Sequence, residues 1–285
     1  MHIKTLFFIF TIYSFTHCNG QHQNMNNQED KHTQFKEVIG FSNIDSTESS
    51  VGIVANWQAI EQLDYLNDSS WILDDYDVTS NENACEGEWT FEKGDKSIFL
   101  RIFAGKNDQQ AREHFLSITS ATMMMQIPYI KTDTKIGALS VKSPEPNAQT
   151  FIWIYHNLCF HLRGFDTDIK MEYLAKEIQE IAKAGLVDDL SQHINFVEKI
   201  SIAPKKIAIQ DIFQIKPILS EEAAKYPENY MLDFQRDMEI IDIFRQEDNH
   251  VFFKALKEGK TQIMLKVINK VNLLSSSHKI NITID

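Results

Sequence analysis

The chain has 285 residues, 43% of them hydrophobic and 24% charged, enough for about two domains with buried cores and unlike a disordered chain. Its formal net charge of −12 argues against nucleic acid or an anionic lipid surface as a partner, since both need clustered Lys and Arg. An acidic surface of this size serves solubility.

The first 20 residues have the pattern of a signal peptide. Lys4 supplies positive charge, and Thr5 to Phe15 (TLFFIFTIYSF) is an apolar run of h-region length, short of the ~18 residues a membrane-spanning helix needs. Two processing routes are open. Cleavage after Gly20 would leave Cys18 and Gly20 as the small residues before the cut. Alternatively, Phe15-Thr16-His17-Cys18 resembles a loose bacterial lipobox, which implies cleavage before Cys18 and lipidation of its thiol. His17 departs from that pattern, where a small residue or Asn is usual. Residues 21–49, rich in Asn and Gln at their start, are expected to be a disordered polar tether. Within them Phe35 to Phe41 (FKEVIGF) has strand character.

Residues 50–190 read as an α+β domain, an antiparallel sheet with two packed helices. Val51 to Leu66 suits a short helix or a strand pair, and Trp71-Ile72-Leu73 leads into the acidic stretch Asp74 to Asp77. Trp89 to Glu92 and Ser97 to Phe103, joined through Lys93-Gly94-Asp95, form a predicted hairpin. Asn107 is a good N-cap for a helix from Asp108 to about Met124, with Ala111, Phe115, Ile118 and Thr122 on one stripe. Lys135 to Lys142 has strand character. Gln149 to Phe165 is a second hairpin turning at His156-Asn157. There, strand alternation puts Phe151, Trp153, Tyr155, Leu158, Phe160 and Leu162 on one face, and Ile152, Ile154, Cys159, His161 and Arg163 on the other. The first face needs a helix over it. One follows, with Ile169, Tyr173, Leu174, Ile178 and Ile181 as its apolar stripe and Gly185 as its stop.

Residues 191–204 are expected to be a linker. From 205 to 285 the texture becomes all-β and sandwich-like, with strand character in Ile207–Ile215, Ile240–Phe244, Val251–Ala255, Thr261–Asn269 and Lys279–Ile284. Phe253 to Ile263 carries Ala-x-x-x-Gly-x-Thr-x-Ile at Ala255, Gly259, Thr261 and Ile263, and the chain closes on Ile280-Asn281-Ile282-Thr283-Ile284. In these final ~35 residues it resembles bacterial Ig-like domains, which implies a spacer or adhesive module. In strand and helix order alone, residues 88–187 faintly resemble small exported domains of the PsbP-like kind. Neither resemblance carries functional residues with it.

Candidate sites are few. With Cys18 lipidated or removed, Cys85 and Cys159 remain. An even pair in an exported protein suggests a disulfide, with two buried free thiols as the alternative. His156 and His161 lie near Cys159, but no partner acid or further ligand is evident for a metal or a nucleophile. Asp74, Asp75 and Asp77 offer oxygens for calcium without EF-hand spacing, which makes a solvated acidic loop the simpler expectation. Met123-Met124-Met125 suits either an adaptable pocket or core packing. The sequons Asn67-Asp68-Ser69 and Asn281-Ile282-Thr283 matter only in a eukaryotic secretory pathway. No phosphate loop, Gly-x-Ser-x-Gly elbow, His-Glu-x-x-His or Cys-x-x-Cys occurs, so no catalytic, cofactor or metal residues are assigned. The sequence reads as an exported, non-catalytic binding or cell-envelope protein. Its ligand would be a protein, glycan or lipid, and any membrane attachment would be through lipid on Cys18. The alternative is an exported hydrolase with catalytic residues dispersed along the chain.

Overall fold

The hairpin at 149–165 lies inside a seven-stranded antiparallel sheet with a helix on each face. The computed structural model describes residues 33, 36–37, 39–41, 50–68, 70–81, 84–123, 129–143, 145, 149–247 and 250–285, apart from the side chains of 121–123. The expected signal peptide, Cys18 and most of the expected tether lie outside them. Lys36, Glu37 and Ile39 are helical, where a strand was expected.

In chain order, β1 (Gly52–Ile53) is followed by a 3-10 turn at Trp57–Gln62 and the short α1 (Asp64–Asp68). Then come β2 (Ile72–Ser80), β3 (Ala84–Lys93), β4 (Lys96–Gly105) and α2 (Asp108–Met123). After these follow β5 (Ile130–Lys131), β6 (Leu139–Lys142), β7 (Gln149–Tyr155), β8 (Leu158–Gly164) and α3 (Met171–Ala184). The sheet order is β2-β3-β4-β8-β7-β6-β5. The pairs Phe151–Leu162, Trp153–Phe160 and Tyr155–Leu158 put the aromatic wall on one face, as expected. Trp153 and Phe160 stack with centroids 4.5 Å apart. Helix α3 covers this wall with Leu174, Ala175, Ile178 and Ala182. The wall's one buried indole donor is satisfied, because Trp153 Nε1 donates to Gln179 Oε1 at 3.0 Å. The opposite face is covered as well. Ala111 and Phe115 of α2 pack on Phe103, Val141, Ile152, Ile154 and Cys159. Asn107 caps α2, its Oδ1 accepting from Gln110 N at 3.1 Å.

The second unit begins earlier than expected. After β9 (Leu186–Val187), which pairs with β1, residues 191–204 do not form a linker: Val197–Ala203 is strand β10. A bulge between Val197 and Lys199 breaks its alternation, so the run does not look like a strand in sequence. The remaining strands are β11 (Ile212–Leu219), β12 (Tyr230–Gln235), β13 (Ile241–Glu247), β14 (His250–Ala255), β15 (Gly259–Asn269) and β16 (Ser275–Ile284). They form two antiparallel sheets, β10-β11-β14-β13 and β12-β15-β16. Both contribute to one core. Phe253 of β14 stacks on Phe213 of β11 within its own sheet and meets Phe234 of β12 edge-on across the core. Beyond β10 the chain crosses over, and Ile207 makes a parallel bridge to Ile284 of β16.

The two units are packed together. Ile268 and Leu273 of the second contribute to the core of the first. Lys266 Nζ donates to the carbonyls of Ala84, at 2.7 Å, and Asn81. Ser80 Oγ donates to Asp233 Oδ2 at 2.7 Å, and Trp57 N donates to Val271 O at 2.9 Å. Gly87 is needed at this seam, because a Cβ there would meet Trp89 at 2.6 Å and Leu273 at 3.0 Å. The whole is a mixed fold, mostly antiparallel β. Among the described residues no helix is long and apolar enough to cross a membrane.

Candidate ligand groove

One end of the large sheet carries a groove of about 420 Å³. Three segments distant in sequence build it. The β3–β4 turn, which Gly94 closes at φ +64°, presents Lys93 and Lys96. The α1 region presents Tyr65, Asp68 and Trp71. The loop into α3 and its first turn present Asp168, Lys170 and Tyr173.

These walls are tied to one another. Lys96 Nζ bonds Asp166 Oδ1 at 3.1 Å and Asp168 Oδ2 at 3.0 Å, and Asp168 N donates to Asp166 Oδ1 at 2.8 Å. The hydrogen bonds that Lys96 donates to Asp168 and Asp166 hold its ammonium above its usual pKa. The Asp168 backbone N–H, then Lys96, hold Asp166 below its own. On the other side Lys170 N donates to Tyr65 Oη at 3.0 Å, and Tyr65 N donates to Glu177 Oε2 at 3.2 Å. The Tyr65 and Tyr173 rings lie 6.1 Å apart. Negative charge on Glu177 raises the Tyr173 phenol above its ordinary pKa. Lys93 and Lys170 make no ion pair among the described residues.

A second groove, of about 290 Å³, abuts the first along Ile169, Lys170 and Tyr173. It continues past Gln149 to the Lys142–Glu172 ion pair, 3.3 Å long. The two grooves together offer aromatic faces, ammonium donors and carboxylate acceptors on a surface braced by internal bonds.

The strongly perturbed imidazoles and the Cys159 thiol lie elsewhere, on the α2 face of the sheet. Arg101 is 2.6 Å from Glu88 and 3.6 Å from Glu86. It stands opposite His161 across the β4–β8 pair. The His114 ring stacks on Phe103 at 3.9 Å. Burial, then the Arg163 and Arg101 charges, push His161 down to about 3. Burial and Arg101 push His114 down to about 4. Burial pushes the Cys159 thiol up, far from thiolate character. Neutral, weakly basic imidazoles beside a protonated thiol supply neither an activated nucleophile nor a general base tuned near neutrality.

The expected Cys85–Cys159 disulfide is not present; both cysteines are free and buried. Register explains why. Cys85 faces Ala104 and Cys159 faces Phe103, so β4 lies between them and their side chains point to opposite faces of the sheet. Two strand spacings come to about 9.5 Å, against the roughly 7 Å Cα limit for a bridge. Cys159 is packed under α2, on the face the sequence left uncommitted. Asp74, Asp75 and Asp77 are not in a loop but in β2, an edge strand of the sheet. His156 sits in the β7–β8 turn at φ +50°. Met124 and Met125 lie outside the described residues. Among those residues no cluster of three or more His, Cys, Asp or Glu is placed to hold a metal ion.

The groove residues were not singled out in the sequence. Tyr173 was assigned to the apolar stripe of α3, yet it is 49% exposed. Ile169 precedes α3, and Tyr173 lies on the side of that helix away from its buried residues Met171, Leu174, Ala175, Ile178 and Ala182. Tyr65 and Trp71 lie about a hundred residues upstream, with no shared motif. No protein-family model matches the chain, and no curated protein is similar to it.

Proposed function

We propose that this is an exported, non-catalytic binding protein. Its α+β unit holds ligand in the Tyr65–Trp71–Tyr173 groove, and its C-terminal unit is an Ig-like sandwich acting as spacer. One observation carries the binding reading. The groove gathers aromatic faces and braced polar groups, while the strongly shifted imidazoles sit under α2, away from it. A binding surface needs the first, and acid–base hydrolysis needs the second inside the cleft.

The Ig-like reading is supported by strand order. Lettered A to G from β10 to β16, the two sheets are A-B-E-D and C-F-G, the arrangement of immunoglobulin constant-type domains. The Ile207–Ile284 bridge closes the segment after A onto strand G.

Export rests on the Lys4 start, the apolar Thr5–Phe15 run and the polar successor. Intact-mass measurement of the native protein is expected to show loss of the first 17 to 20 residues. A diacylglyceryl mass on Cys18 would select the lipidated route. A full-length cytosolic species retaining Met1 would overturn export.

A further inference from the structure

The groove's lining narrows what it can bind. We propose that it takes a neutral oligosaccharide chain, laid across Tyr173 from the Trp71 side toward the Lys142–Glu172 pair. The inference rests on the binding reading above and names its ligand class.

Three features point there. First, the rings are partly open: Tyr173 is 49% exposed, and Tyr65 and Trp71 are half-buried. A pyranose presents an apolar C–H face bordered by hydroxyls, which suits an aromatic face with polar groups around it. Second, donors and acceptors are mixed. Lys93 and Lys170 stand against Asp68, and Lys96 is already matched by Asp166 and Asp168. Hydroxyls both donate and accept, so they can meet ammonium and carboxylate together. A phosphorylated or sulfated chain would meet Asp68 and Asp168, and an acyl chain would desolvate Lys93, Lys170 and Asp68 while offering them no partner. Third, the form suits a chain. The first groove, about 420 Å³, falls in the roughly 300–1,000 Å³ range of small-molecule sites. The second continues from the same Lys170–Tyr173 rim. The bonds between Lys96, Asp166 and Asp168 and between Tyr65 and Lys170 hold the walls in place before binding, which reduces the ordering cost of association.

The protein carries its own reporter. Of four tryptophans, Trp57, Trp89 and Trp153 are at most 1% exposed, so quenching by acrylamide reads Trp71. The mature protein is titrated with cellohexaose, mannohexaose, xylohexaose, galactohexaose and chitohexaose, with inorganic phosphate and heparin as anionic probes. Calorimetry is run in parallel. One neutral series is expected to bind, to shield Trp71 from acrylamide, and to gain at least ~10-fold in affinity from dimer to hexamer. Tyr173→Ala, a change at an exposed position, is expected to weaken binding ~10-fold or more. Tyr226→Ala, which removes a ring 61% exposed on the other unit, is expected to leave it unchanged.

Absence of heat and of shielding with all five neutral series would overturn the proposal. So would tighter binding of either anionic probe, or full affinity in Tyr173→Ala. None of these results touches export, which mass measurement tests separately. Cleavage of a bound hexaose would keep the ligand class and overturn only the non-catalytic reading.

Discussion

Tyr76 and Lys270, 194 residues apart, are joined by a 2.6 Å hydrogen bond in which the phenolic hydroxyl donates to the backbone carbonyl. It crosses from β2 of the first unit to the β15–β16 turn of the second. Burial, with the charges of Glu61 and Asp77, raises this phenol to about 12. A folded-state pKa above the unfolded value of 10 means that the unfolded chain gives up this proton first as pH rises. The contribution is therefore complete below pH 10 and is lost between about 10 and 12. Tyr76→Phe leaves the Lys270 carbonyl without this donor and is expected to cost about 1–2 kcal/mol at neutral pH. Urea unfolding of the two proteins, with parallel m-values, checks it.

The unit boundary can be tested with fragments. Since β10 is the edge strand of the second unit's larger sheet, a fragment of residues 205–285 lacks it and uncovers β11. A fragment of residues 195–285 keeps Val197, Ile200 and Ile202 against the core. Each buried aliphatic side chain contributes about 1.5–3 kcal/mol, so the longer fragment is expected to be more stable by at least ~3 kcal/mol. Equal chemical stability of the two would show that β10 adds nothing to the folded unit.

Acid sensitivity follows from the α2 face. His114 and His161 have folded-state pKa values of about 4 and about 3, below the ordinary 6.5. The unfolded chain therefore takes up these protons first as pH falls. Stability present above pH 6.5 is lost progressively below it, on the order of 3 kcal/mol from each histidine by pH 4. The double variant His114→Gln, His161→Gln is expected to flatten the stability profile between pH 6.5 and 4. An equally steep profile in the variant would place the acid sensitivity in other groups.

Reducing agent is expected to leave the melting temperature unchanged, since Cys85 and Cys159 are free. Thiol titration should find Cys85 and Cys159 slow to react when folded and reactive in denaturant. Cys159→Ala, which opens a small cavity under Phe103 and Phe115, is expected to cost about 1 kcal/mol.

What could be read from the sequence was local. The 149–165 hairpin shows its faces because strand alternation is a one-residue rule, and Trp153 pairs with Phe160 as that rule requires. The α2 start is equally readable, because Asn107 and Gln110 are three positions apart and bond as a cap. Features that depend on register or convergence were hidden. Cysteine parity suggested a bond that the β3-β4-β8 order forbids. Strand β10 was masked by its bulge. Tyr173 has an apolar neighbourhood in sequence and an exposed ring in space. The groove depends on segments around 65, 95 and 170 meeting at one sheet end, and no local pattern records such a meeting.

Strand β2 has one more consequence. It runs nine residues along the rim of the large sheet and, among the described residues, pairs with β3 alone; on its outer edge Val78 N donates to Asp77 Oδ1 at 2.8 Å. Ile72, 71% exposed, makes that rim apolar at one end. Asp74, Asp75 and Asp77 put carboxylates along the rest, and a second copy approaching edge to edge would bring like charges together. The acidic run that resembled a cation ligand set thus places like charges along an open sheet edge. With all three changed to Asn, the folded protein is expected to associate more strongly with rising concentration than the unchanged protein in light scattering.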